Sequence, residues 1–124
     1  MDESWVFADD EEPSSADAVR AGLLTRIDQG RLETWLRSSA GRSLAFVTNT
    51  ERAMVMLLAG AGDPGEHAVD PGADGWSDGF LLANGQDDEY PDEDTVPLAA
   101  AFRIVAHILA EGSPPPDAPW SIDR

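Results

Sequence analysis

Three stretches of this sequence place chemically capable residues at suggestive spacings. Gly75-Trp76-Ser77-Asp78-Gly79 matches the nucleophile-elbow pattern. That elbow needs a buried strand before the serine and a helix after it, so that the hydroxyl stands exposed on a sharp turn. Here the turn-like Asp70-Pro-Gly-Ala-Asp74 precedes Ser77 and the strand-like Phe80-Leu-Leu82 follows it. The order of elements is reversed, and 124 residues are few for the usual hydrolase sheet.

Gly60-Ala-Gly62-Asp-Pro-Gly65 matches the dinucleotide fingerprint. The fingerprint works because its third glycine opens a helix whose N-terminus holds the pyrophosphate. Pro64, Pro71 and the glycines at 65, 72 and 75 leave no such helix, so the spacing predicts a glycine-rich hairpin loop. Only His67 and His107 could act as imidazole bases. His107 falls between core positions of a helix, and His67 falls on a short strand with no evident partner. Asp87-Asp-Glu-Tyr-Pro-Asp-Glu-Asp94 is dense enough in carboxylates to suggest a calcium loop. It lacks the central glycine that such a loop turns on, and Pro91 is misplaced, so a solvated loop or a partner-facing patch fits better. There are no cysteines, which removes disulfides, thiolate nucleophiles and cysteine-ligated zinc. The expectation is a protein with no catalytic residues, metal ligands or cofactor.

The elements that would carry these residues follow from periodicity. Trp5-Val-Phe7 predicts a short edge strand that Pro13 ends. Ser14 or Ser15 then caps a helix with Val19, Leu23 and Ile27 on one stripe, and Gly30 stops it. Arg31 to Ser38 alternates with period two, and Ser43 to Thr48 is strand-like by composition. Arg52 to Ala59 is apolar on both faces and belongs in the centre of a sheet. Arg52 itself could anchor an ion pair to Glu51 or to a distal acid. Glu66 to Val69 and Gly79 to Ala83 predict further strands, and Asn84-Gly85 predicts a two-residue hairpin returning through Gln86 to Tyr90. Pro97 opens a second helix with Leu98, Phe102, Val105 and Leu109 on one stripe, and Gly112 stops it. The expected fold is α+β: an antiparallel sheet of about five or six strands with two main helices packed on it. One domain spans residues 1–124, with an acidic segment at 1–13 and a proline-rich segment at 113–124.

Charge narrows the choice of partner. The chain carries 24 Asp and Glu against 8 bases, all of them arginine, for a formal charge of −16. Binding to phosphate backbones needs a basic footprint, so nucleic acid is excluded as a direct partner. Anionic membrane surfaces are excluded for the same reason. On composition alone solubility accounts for the acidity; where the charge serves a partner, a basic protein is the complement, because opposite fields speed and orient encounter. The first residues, Met1-Asp-Glu-Ser-Trp-Val-Phe7, show neither a basic region nor a long apolar run. The expectation is therefore a cytoplasmic protein without a secretory signal.

From about Leu44 onward the order of features resembles a known family. Arg52-Ala-Met-Val-Met-Leu-Leu58, Gly79-Phe80, Asn84-Gly-Gln86, Asp88-Glu-Tyr-Pro91, Val96-Pro97 and a helix leading to Trp120 are similar to family one of the Imm-type immunity proteins of bacterial polymorphic toxin systems. The resemblance implies an α+β fold with a characteristic C-terminal tryptophan, matched by Trp120. It implies a cognate toxin as partner, commonly a nucleic-acid deaminase, and carries over no active site. Deaminases of this kind hold a polyanion, so their clefts are basic and an acidic protein could occlude them. The expected toxin-binding residues are Asp74, Trp76 and Asp78 in one loop and Asp87, Asp88, Asp92, Glu93 and Asp94 in the acidic block. Trp76 either anchors an interface or closes a small core. An acidic adaptor or nucleic-acid mimic blocking another basic protein is the alternative reading. A small serine hydrolase using Ser77 is the third.

Overall fold

Side-chain alternation sets the architecture. In the strand Glu33–Ser38 (β2) Thr34 and Leu36 are buried while Trp35 and Arg37 face outward. The computed structural model describes residues 3–123, so Asp2 of the acidic N-terminal segment lies outside the described residues. Around β2 the chain lays down β1 (Trp5–Phe7), β3 (Ser43–Thr48), β4 (Arg52–Leu58), β5 (Glu66–Ala68) and, near its end, β9 (Trp120–Ile122). These pair in the order β1-β2-β3-β4-β5-β9, all antiparallel, and a two-residue strand β8 (Val96–Pro97) pairs with the start of β4. The expected α+β fold is the one observed, with β1 at one edge and β4 inside the sheet.

Two helices cover one face. Helix α1 (Ala16–Asp28) starts at Ser15, whose hydroxyl accepts the Ala18 N–H at 3.2 Å. Helix α2 (Leu98–Glu111) has its first N–H taken by the Glu51 carbonyl at 3.0 Å, and Gly112 ends it at φ +83°, a left-handed conformation that costs glycine nothing. Val19 and Leu23 of α1 and Ala101, Phe102, Ile104, Val105 and Ile108 of α2 share one core with Trp5, Phe7, Leu36, Leu44, Phe46, Val55 and Leu57 of the sheet. Phe46 stacks on Phe102 with ring centroids 5.6 Å apart. No helix among the described residues is long and apolar enough to cross a membrane.

The opposite face of the sheet is covered differently. Strands β6 (Trp76–Leu81) and β7 (Asp87–Pro91) form a separate two-stranded ribbon. Phe80, Ala45 and Val47 are buried, at 0%, 2% and 2% exposure, yet none belongs to the core under the helices. They make a second, smaller core between β3 and the ribbon. Tyr90 closes it, edge-on to Phe80 with centroids 4.9 Å apart.

Two expectations change here. Trp76, Ser77 and Asp78 belong to a strand and not to a loop, because a bulge between Ser77 and Phe80 absorbs Gly79 at φ +86°. The Asn84-Gly85 turn is also wider than two residues: Leu82 and Gln86 close it, and only Gly85 has positive φ. A two-residue turn of the expected type needs both central residues at positive φ, whereas a three-residue loop needs glycine only at its last position.

Candidate functional site

Between Arg52 and Arg103 the chain has eleven Asp and Glu residues and neither Lys nor Arg. The ribbon and its flanks lie within this stretch. Four of the arginines elsewhere are occupied with acids: Arg26 and Arg31 both meet Asp9, Arg42 binds Glu3, and Arg103 meets Asp117. Among the described residues no ion pair falls on the ribbon residues 76–91.

Three attachments hold the ribbon in place. At its tip, Glu33 accepts the Ala83 N–H at 2.8 Å while its other oxygen takes the Trp35 indole N–H at 2.8 Å. Midway, Asn49 donates from Nδ2 to the Asp78 carbonyl at 2.9 Å. At its base, β7 runs into a single 3-10 turn, Asp92–Asp94, which Arg52 pins. Arg52 Nε donates to Thr95 Oγ1 at 2.8 Å, and Nη2 reaches Asp70 Oδ2 at 2.7 Å and the carbonyls of Asp92 and Thr95 at 3.1 and 3.0 Å. Of the two partners open to Arg52 in the sequence, the distal acid is the one it binds.

The anticipated binding residues divide into two groups. Asp74, Asp78 and Glu93 are exposed, and their carboxylates make no ion pair among the described residues. Asp87 is exposed too, but accepts the Gly79 N–H released by the bulge at 3.1 Å. Asp88, Asp92 and Asp94 are half-buried and bonded within the fold. Asp88 accepts from Tyr90 Oη at 3.2 Å and Gln86 Nε2 at 2.5 Å. Asp92 accepts from Ser77 Oγ at 2.5 Å, and Asp94 meets His67 Nε2 at 3.0 Å. Trp76, paired across the ribbon with Pro91, is 64% exposed beside these acids. Glu89, exposed on β7, completes the acidic face; its place in the Asp87–Asp94 run was the signal for it.

The chemistry of the other candidates is set by the same contacts. A serine nucleophile needs a base within hydrogen-bond reach, and the partner of Ser77 is the Asp92 carboxylate. Gly65 leads into β5, a strand, where a dinucleotide fingerprint requires a helix. The acidic block does not converge, since its carboxylates are spread over Gly79, Tyr90, Ser77 and His67, and no group of three or more ligating side chains among the described residues is arranged for a metal. His107 Nδ1 lies 2.6 Å from the Ser113 carbonyl. His67, expected without a partner, has two: Asp94 and Asp123. Their distance in sequence hid them. Burial, together with the bond to Asp88, pushes the Tyr90 phenol up to about 12.

What the fold and this surface define is an α+β protein with an acidic ribbon that carries neither Lys nor Arg and exposes the Trp76 indole. No protein-family model, curated protein or solved structure matches the chain.

Proposed function

We propose that the protein is an immunity protein of a bacterial polymorphic toxin system. It binds a cognate toxin domain of nucleic-acid deaminase chemistry and occludes its basic substrate cleft from the cytoplasm of the producing cell. The observation that carries this reading is Trp76, 64% exposed on a ribbon inside a stretch with no Lys or Arg. Exposed tryptophans are strong interface anchors, and a field of unmatched carboxylates steers a cationic partner. A cleft that holds a polyanionic substrate presents the complementary charge. The resemblance of residues 44–120 to family one of the Imm-type proteins supplies the toxin as the partner. Trp120, the residue matching that family's C-terminal tryptophan, donates its indole N–H to Glu66 Oε1 at 2.9 Å and serves the fold.

The exposure of each acid supports a division of labour. Asp74, Asp78, Asp87, Glu89 and Glu93 set the rate of encounter, and Trp76 sets the lifetime. Asp88, Asp92 and Asp94 hold the ribbon in shape. The test is co-expression with the toxin domain encoded by the neighbouring gene, followed by binding kinetics over a range of salt. The triple variant Asp78→Lys, Glu89→Lys, Glu93→Lys is expected to slow association at least roughly tenfold at low salt and to flatten its salt dependence. Trp76→Ala is expected to speed dissociation by about tenfold or more. No complex with that toxin, or no rescue of cells poisoned by it, overturns the reading. Equal binding to an unrelated basic protein would favour a general acidic inhibitor instead.

A further inference from the structure

His67 is the middle residue of β5, and in register it lies beside Met56 of β4 and Ser121 of β9. Its neighbour Ala68 is buried in the helix-side core, so the imidazole projects from the opposite face, where its side chain is 17% exposed. Nδ1 lies 2.7 Å from Asp123 Oδ2 and Nε2 lies 3.0 Å from Asp94 Oδ1. An ionised carboxylate only accepts hydrogen bonds, so both ring nitrogens must donate. Only the imidazolium has two N–H groups. A neutral ring turns a lone pair toward one of the two carboxylates, and that contact becomes repulsive.

The two carboxylates belong to segments that nothing else in the bridge joins. Asp94 ends the acidic 3-10 turn at the base of the ribbon. Asp123 follows β9, a three-residue edge strand whose sole strand partner among the described residues is β5. The other charged groups around the ring are already engaged or point elsewhere. Glu66, on the same strand, accepts from Trp120, Asp92 accepts from Ser77, and Arg52 is held by Asp70 and the turn backbone. Glu93 is exposed on the turn, β4 presents the uncharged Met56, and Ser121 Oγ donates to the second Asp123 oxygen at 3.3 Å. A cavity of about 320 Å³ lined by Val69, Pro71, Glu93, Asp94 and Ser121 gives water a route to the bridge and a freed carboxylate room to move.

We propose that His67 is a proton-operated latch: charged, it ties the C-terminal strand to the acidic turn; neutral, it holds only one of them. Burial pulls the His67 pKa down, but the bonds to Asp123 and Asp94 outweigh it and hold the value above the ordinary 6.5. A group whose pKa is raised on folding adds stability that is complete below the unfolded value and is lost as pH climbs through the folded one. The latch therefore opens on alkalinisation.

The test uses the isolated chain, so its failure is separate from any failure to bind a toxin. The His67 ring is titrated by NMR in the wild type, Asp94→Asn and Asp123→Asn, and amide exchange is followed across β9. The His67 midpoint is expected above 6.5 in the wild type and lower in each Asn variant. Protection of the Asp123 N–H, which donates to the Gly65 carbonyl at 2.9 Å, is expected to fall by about threefold to tenfold above the midpoint, after correction for intrinsic exchange. In His67→Gln the same amide should be weakly protected at every pH. A wild-type midpoint at or below 6.5, a midpoint unmoved by both Asn substitutions, or the same pH-dependent loss in His67→Gln each overturns the latch.

Discussion

Arg52 Nη2 stands 2.7 Å from Asp70 Oδ2 and, through the same nitrogen, grips the carbonyls on either side of the acidic turn. One cation on the central strand thus fixes where the acidic block ends. Arg52→Met keeps the apolar stem and deletes the fork, leaving the buried Thr95 and its carbonyl short of a donor. The expected cost is about 1–3 kcal/mol, read as a lower urea midpoint with unchanged slope. Arg52→Lys should recover little, because an ammonium cannot reproduce the planar fork. Full recovery with lysine would mean that charge alone matters.

Phe80 is the wedge of the second core. Phe80→Ala removes the ring that lies between Tyr90 and the outer face of β3. A loss of about 3–4 kcal/mol is expected. Exchange of the β6 and β7 amides should accelerate well before that of β3 and β4, because the helix-side core is untouched. Uniform acceleration of all four strands would show that the ribbon does not open as its own unit.

Thr50 sits at φ +79° in the turn between β3 and β4, a conformation that β-branched residues resist. The turn is held there by Thr50 N–H to Thr48 Oγ1 at 2.9 Å and Arg52 N–H to Asn49 Oδ1 at 2.7 Å. Thr50→Gly relieves the strain without touching either bond. A gain of about 1 kcal/mol is expected in thermal or urea unfolding. A loss would mean the threonine methyl and hydroxyl contribute more than the strain costs.

Tyr90 is the sole tyrosine, so its phenol can be titrated by ultraviolet absorbance without interference from another. Its ionisation is expected near 12, against an ordinary 10.0, and burial is the main cause. The folded value is the higher one, so the stability it represents is present below 10.0 and disappears as pH rises through 12. Asp88→Asn should bring the midpoint part of the way back. A midpoint at the ordinary value in the wild type would place the ring in water.

Periodicity in the sequence was enough to read the helix-side half of the molecule. The stripes Val19-Leu23 and Phe102-Val105 and the alternation of Thr34 and Leu36 each mark a face that must leave water, and the sheet and helices follow from them. The ribbon was less legible. Gly75-Trp-Ser-Asp-Gly79 has the composition of a turn, and only the docking of Phe80 against β3, with a bulge to absorb Gly79, makes it a strand. The acidic block looked uniform because charge in a sequence says nothing about partners distant along the chain. Ser77, Tyr90 and His67 take up Asp92, Asp88 and Asp94, and leave the exposed acids to face outward. β9 was hidden by its brevity and by the prolines before it.

Strand β3 is walled in on both sides, its Leu44 and Phe46 pressed to the helices and its Ala45 and Val47 to the ribbon. A ligand clamped on the ribbon would therefore brace the backbone on which the helices also rest. Occupancy at one surface would slow the opening of the whole molecule, and a bound copy would outlast a free one under proteolysis.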